Sequence, residues 1–217
     1  MSPAHPYRAA PSLGAEERTV LARLRAGDRA AFAQLVNLHG GAMLRVALTF
    51  LKERATAEEI VQDTWLALLN GLGTFEERAS LRTWLFTILV NKARTRAVRE
   101  GRSLPFSALA AGDADGQQPA AEAFDEAGGW RQPPEAWAEE NPERLAMGAQ
   151  TRAIIEAEIA SLPDAQRTVL TLRDVEGLEA EEVCELLGIT ASNQRVLLHR
   201  ARCRVREALE GYLAGSR

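Results

Sequence analysis

Helical periodicity runs through almost the whole chain and strand signals are nearly absent, with one long interruption. Between about residues 103 and 143 stand Pro105, Pro119, Pro133, Pro134 and Pro142, several glycines and an excess of acidic side chains. A stretch this polar, broken this often by proline, cannot pack a core of its own. The chain is therefore expected to be all-α, as two small helical domains joined by a long acidic linker. The domains are placed at residues 16–101 and 145–217, with the linker at 102–144. Residues 1–15 hold Pro3, Pro6 and Pro11 and are read as a disordered tail. A length of 217 residues accommodates two domains of that size.

The formal net charge of −4 argues weakly against nucleic-acid binding until it is resolved along the chain. Segment 78–102 carries seven Arg/Lys against one Glu, and segment 190–217 six Arg against two Glu. The acidity is concentrated elsewhere: 103–150 and 156–185 each hold nine acidic residues against two Arg. Two local basic patches inside an acidic protein are what phosphate contacts require.

Other classes find little support. No apolar run approaches the roughly 20 residues needed to span a bilayer, and the start of the chain has no apolar stretch of signal-peptide type. The expected location is the cytoplasm, without membrane insertion. Cys184 and Cys203 belong to no C-x-x-C or Cys/His cluster and are expected reduced and half-buried. His5, His39 and His199 have no metal-ligand spacing. There is no phosphate-cradling glycine loop and no nucleophile–base pair, so no cofactor, metal or catalytic residue is expected, and the chain does not read as an enzyme.

In the first half, Asp28 is placed to cap a helix carrying Phe32, Leu35 and Val36, which Gly40-Gly41 should interrupt before a second helix from Met43 to Leu51. Thr56-Ala57-Glu58-Glu59 has the form of a capping box and should open a helix ending near Asn70, before Gly71 and Gly73. That helix would bury Ile60, Val61, Thr64 and Leu68 and present Glu59, Gln62, Asp63, Leu66 and Asn70. An acidic face with an apolar residue in its middle suits a basic partner, although a solvated face has the same look. A further helix from Ser80 to Arg99 is apolar almost all round in its front half. It keeps one polar stripe, Thr83, Thr87, Asn91 and Arg94, with Lys92, Arg96, Arg99 and Arg102 crowding its end. Such a stripe suits single-stranded or duplex DNA, with pockets for unstacked bases near the loop Phe75 to Arg82. Trp84 suits the core or a base. Phe124, Trp130 and Trp137 are out of place in a plain spacer; they suit either loose packing on a domain or a partner surface.

In the second half, Leu178 to Thr190 followed by Ala191 to Arg206 has the form of a helix-turn-helix. Val183, Leu186 and Leu187 would be buried, Gly188 would allow the turn, Ile189 would plug the angle and Thr190 would cap the second helix. The start of that helix, Ser192, Asn193, Gln194 and Arg195, would face the major groove, where amides and guanidinium groups pair with bases. Its later cations would meet phosphates, although a basic helix end also arises from the macrodipole alone.

Ala57-Glu-Glu-Ile-Val-Gln-Asp-Thr-Trp65, Phe75 and Ser80-Leu-Arg-Thr-Trp-Leu-Phe-Thr-Ile88 with Asn91 resemble region 2 of the extracytoplasmic-function sigma factors of the sigma-70 family. Leu162-Pro-Asp-Ala-Gln-Arg-Thr-Val-Leu170, Leu172-Arg173, Glu176-Gly177 and His199-Arg-Ala-Arg202 resemble their region 4. The resemblance covers roughly residues 16–100 and 145–213. It implies that Glu59, Gln62, Asp63 and Leu66 dock on the clamp helices of the RNA polymerase β′ subunit. Phe75, Arg82, Thr83, Thr87, Asn91 and Arg94 would melt and read the −10 promoter element. Ser192, Asn193, Gln194, Arg195, His199, Arg200 and Arg202 would contact the −35 element, and the same domain would touch the β flap. The linker would run toward the RNA exit path, and an anti-sigma factor would hold the protein inactive. The second helix departs from the family pattern: Gln194 stands where relatives carry an apolar residue, and Val196 and Leu197 where they carry basic or small polar ones. Either that helix is rotated or its buried and reading positions are reassigned. A dimeric helix-turn-helix regulator of palindromic duplex DNA would explain the second half alone.

Overall fold

The computed structural model describes residues 14–102 and 142–215, and all regular structure among them is helical. The chain divides into two compact units, Met1–Ser103 and Leu104–Arg217. Most of the expected linker, with Phe124, Trp130 and Trp137, and most of the expected tail lie outside the described residues, and residues 142–144, expected in the linker, already belong to the first helix of the second unit.

The first unit begins with α1, Ala15–Arg25. The Asp28 carboxylate accepts from the amides of Ala30 (2.8 Å) and Ala31 (3.2 Å) and so caps α2, Arg29–Phe50. The Ala31 amide and the Arg23 guanidinium hold the Asp28 carboxyl below its ordinary pKa. The break expected at Gly40-Gly41 does not occur: α2 is one continuous helix of 22 residues. Its second half buries Ala42, Met43, Val46, Ala47 and Phe50. Burying that run outweighs the roughly 1 kcal/mol that each helical glycine costs. A loop of three residues leads into α3, Arg54–Gly71. This helix starts ahead of its expected cap. Glu53 is the N-cap residue, and Thr56 sits 7% exposed inside the first turn, where packing has claimed it. A 3-10 turn, Leu72–Thr74, and an irregular loop follow. Ser80 then caps α4, Leu81–Arg99, its hydroxyl accepting from the Thr83 amide at 2.9 Å. Helices α2, α3 and α4 pack on one another around Met43, Val46, Phe50, Leu68, Leu85, Phe86 and Leu89. The ring of Phe32 meets Trp65 edge-on at 5.7 Å.

The second unit starts with α5, Pro142–Ser161, and turns at Pro163 into α6, Asp164–Leu170. The last turn of α6 widens into a π turn, Thr171–Val175. Gly177, in the left-handed region at φ +67°, redirects the chain toward α7, Ala180–Leu187. Gly188, at φ +65°, closes α7 and joins it to α8, Ala191–Gly215. Thr190 caps α8 by accepting from the Asn193 amide at 3.2 Å. Helices α5, α6 and α7 all pack along α8, around Leu162, Val169, Leu172, Val183, Leu187, Leu197 and Ala201.

Candidate functional site

Three surfaces carry the residues singled out in the sequence. The first is the outer face of α3. The helix has apolar partners on two sides, α2 and α4, so its remaining side must face solvent. Glu59, Gln62, Asp63 and Leu66 are all exposed there, Leu66 at 59%. Leu69, which the sequence reading passed over, adds a second exposed apolar residue at 42%. Its spacing three residues after Leu66 was the available signal. Between this face and α4 lies a shallow groove lined by Glu59, Asp63, Asn91, Lys92, Arg96 and Arg99. Across it Lys92 stands 4.0 Å from Asp63, and Arg96 3.8 Å from Glu59. These pairs are open to solvent and long, so they contribute little to folding. They do place an acidic ridge beside a basic one.

The second surface is α4 with the loop before it. The apolar front of the helix is buried through Leu81, Leu85, Phe86, Leu89 and Val90. The expected polar stripe is graded in exposure. Thr83, Thr87 and Arg94 are half-buried, whereas Asn91 is open. The Thr83 hydroxyl lies 2.7 Å from that of Ser80, and the Thr87 hydroxyl donates to the Thr83 carbonyl at 2.8 Å. Burial lowers the pKa of the Arg94 guanidinium. Arg82 lies over the Phe86 ring, 5.6 Å from its centre. Phe75 is 9% exposed and stacks on Trp84 at 4.5 Å and 20°. Trp84 is half-buried, so it belongs partly to the wall of this surface and not wholly to the core. The end of α3 approaches it so closely that a Cβ on Gly71 would stand 3.0 Å from the indole. In the loop, Glu77 adopts φ +59°, a left-handed conformation costing about 1–2 kcal/mol outside glycine.

The third surface is the helix-turn-helix of α7 and α8. Its geometry settles how α8 is set. Gln194, Leu197, Leu198 and Ala201 form the buried stripe, at 3%, 1%, 6% and 0% exposure. The buried and outward positions are thus reassigned relative to the sequence expectation. Gln194, expected to face the major groove, points inward, and its amide nitrogen is buried with no hydrogen-bond partner among the described residues. Ser192 and Arg195 are open, and Asn193, Val196, His199 and Arg200 are half-buried. Arg202 also differs from expectation, because its guanidinium is engaged inside the unit by Asp174 of the π turn. Arg204 is exposed, and Arg206 pairs with Glu210 at 2.6 Å. Cys203 is buried, with its sulfur 3.6 Å from His199 Nε2. Neither Cys184 nor Cys203 is in a disulfide among the described residues, and burial raises the pKa of each thiol.

Two family models match the chain in order: Sigma-70 region 2 over residues 35–103, and Sigma-70, region 4 over residues 152–205. Together they take in the three surfaces. The chain belongs to the sigma-70 family. Within it, several of the relatives are named as ECF factors. The RNA polymerase sigma-H factor of Pseudomonas aeruginosa is 28% identical over 198 residues, covering 91% of this chain and 96% of that protein. The ECF RNA polymerase sigma-E factor of Escherichia coli K12 is 27% identical over 186 residues, covering 86% of this chain and 90% of that one. Among solved structures, the sigma factor RpoE in complex with the anti-sigma factor NepR from Bartonella quintana superimposes with a TM-score of 0.52 at 22% identity. That match covers 82% of this chain and 96% of that one. At such identity the likeness is one of fold. In the terms of this sigma-70 family, α3 and α4 belong to region 2, and the helix-turn-helix to region 4. Among the described residues no helix is long and apolar enough to cross a membrane.

Proposed function

We infer that this chain is an alternative sigma factor. It binds core RNA polymerase, recognises −35 and −10 promoter elements, and initiates transcription of a specific regulon. The observation that carries this reading is the presence of regions 2 and 4 in one chain, in that order. A helix-turn-helix alone supports only duplex binding; the acidic and apolar outer face of α3 beside a cationic helix has no role in a simple dimeric regulator. The protein works as an initiation factor, leaves the bond-making to polymerase, and acts in the cytoplasm.

Glu59, Gln62, Asp63 and Leu66, joined by Leu69, dock on the β′ clamp helices. The exposed leucines supply apolar area, and the carboxylates steer and orient a basic partner. Phe75, Arg82, Thr83, Thr87, Asn91 and Arg94 form the −10 interface. The stacked Phe75–Trp84 pair offers a wall for an unstacked base, Asn91 offers a hydrogen-bonding amide, and Arg94 supplies charge. Ser192, Asn193, Arg195, His199 and Arg200 face the −35 element, while Gln194 and Arg202 hold the helix-turn-helix together. Region 4 also meets the β flap, and the segment between α4 and α5 joins the two domains. An anti-sigma factor controls the protein, a reading supported by the complex in which the structurally similar RpoE was solved.

Reversing the charge in Asp63→Arg tests the docking role. Affinity for core polymerase should fall at least about tenfold with the melting temperature unchanged. Unaltered affinity would remove α3 from the polymerase interface.

A further inference from the structure

The irregular loop between the 3-10 turn and α4 is held by α1. Glu17, Leu21 and Arg25 recur at every fourth position and therefore share one face of that helix. Leu21 is 1% exposed, so this face is pressed against the rest of the unit. At its end Arg25 places three donors on the loop: Nε to the Leu72 carbonyl at 3.0 Å, one terminal nitrogen to the Phe75 carbonyl at 2.8 Å, and the other to the Glu77 carboxylate at 2.9 Å. In the first turn of α1, the Glu17 carboxylate accepts from the Leu81 amide at 2.9 Å, at the first residue of α4. Both ends of the loop are tied to one helix.

We propose that α1 is a clamp that presets the −10-reading loop, with Arg25 and Glu17 as positioning residues that set discrimination among −10 sequences. The proposal rests on the assignment of Phe75 to Arg94 as the −10 interface. Arg25 and Glu17 both precede residue 35, where the region 2 match begins. The Phe75 carbonyl that Arg25 grips belongs to the residue whose ring stacks on Trp84, so the bond fixes the backbone from which that wall is built. Glu77, held at φ +59°, is fastened by the same guanidinium. A loop ordered before DNA arrives does not have to be ordered on binding, and a fixed wall rejects a wrong base more sharply than a yielding one. Only a planar fork meets two carbonyls and a carboxylate at once; a lysine ammonium is a single point charge without that geometry. Glu17 acts at the α4 N-terminus, where an anion also complements the helix dipole.

The test uses holoenzyme reconstituted from core RNA polymerase and the full chain, transcribing a promoter library randomised at −10 and −35. In Arg25→Ala, the preference between the best and worst −10 sequences should fall on the order of tenfold. Affinity for core polymerase and preference at −35 should stay within about twofold. Arg25→Lys should lose most of the same preference, and Glu17→Gln, which keeps an acceptor without its charge, should retain more of it than Glu17→Ala. The lysine and glutamine variants carry the test if the alanine variants do not fold. Unchanged −10 preference in both Arg25 variants, while Asn91→Ala lowers it, overturns the clamp and leaves the −10 assignment standing. A parallel fall of core affinity, −35 preference and melting temperature also overturns it, because α1 would then be a general support. If Asn91→Ala leaves −10 preference unchanged as well, the assignment of this interface fails and the clamp with it.

Discussion

The guanidinium of Arg202 grips the carboxylate of Asp174 at two points, Nε to Oδ2 at 2.8 Å and a terminal nitrogen to Oδ1 at 2.7 Å. The bond ties α8 to the π turn that ends α6. Arg202 is only 17% exposed and Asp174 31%, so water screens the pair less than it would on an open surface. A cation held this way is a strut first.

Arg202→Ala and Asp174→Asn should therefore each destabilise the second unit by about 1–2 kcal/mol. Chemical denaturation of the two variants measures this, and the −35 preference of the refolded holoenzyme should keep its pattern. A changed pattern at undiminished stability would make Arg202 a DNA contact.

Gln194 offers the opposite case. Its amide nitrogen is buried without a partner among the described residues, a condition that costs about 1–3 kcal/mol. Gln194→Leu should raise the unfolding free energy by about 1–2 kcal/mol, provided the cavity accepts the branched chain, and should leave −35 selection as it was. Loss of selection at one base pair would show that Gln194 turns outward on DNA.

Arg195 and Arg204 separate reading from charge. Both are exposed on α8, Arg195 in its first turns and Arg204 well past the reading end. Arg195→Ala should relax preference at one −35 position by about 1–3 kcal/mol. Arg204→Ala should weaken all sequences alike and reduce the salt slope of binding by about 1. Binding isotherms across a salt series, on matched and substituted duplexes, distinguish the two behaviours.

Gly71→Ala probes the wall of the proposed −10 surface. The added Cβ would lie 3.0 Å from the Trp84 ring, so the indole must shift and its stack on Phe75 with it. Transcription from promoters with a favoured −10 should drop several-fold, while core polymerase affinity is retained. A high-resolution structure of the variant with Trp84 in place and full activity would contradict this.

Much of this was legible in the residues, and the part that was not has a common cause. Asp28 announced its helix because a cap is local chemistry: a short polar side chain reaching amides two or three residues on. Gly188 and Thr190 announced the turn for the same reason. Gly40-Gly41 misled because propensity is a weak term against the burial of Met43, Val46 and Phe50. Thr56 misled because a capping pattern does not say whether its threonine is claimed by the core. The face of α8 was ambiguous because Gln194 is polar by type and buried by position. Arg25 reaching residues 72–77 and Asp174 holding Arg202 are contacts between distant segments, and periodicity within one helix carries no trace of them.

The most direct measurement of the central claim is transcription by purified core RNA polymerase on a library of random promoters, with and without this chain. The account predicts that adding the protein yields transcripts from a narrow set of templates sharing one −35 and one −10 sequence, and that it co-purifies with core polymerase. Equal output with and without the protein, no shared promoter sequence and no association with core polymerase would contradict it.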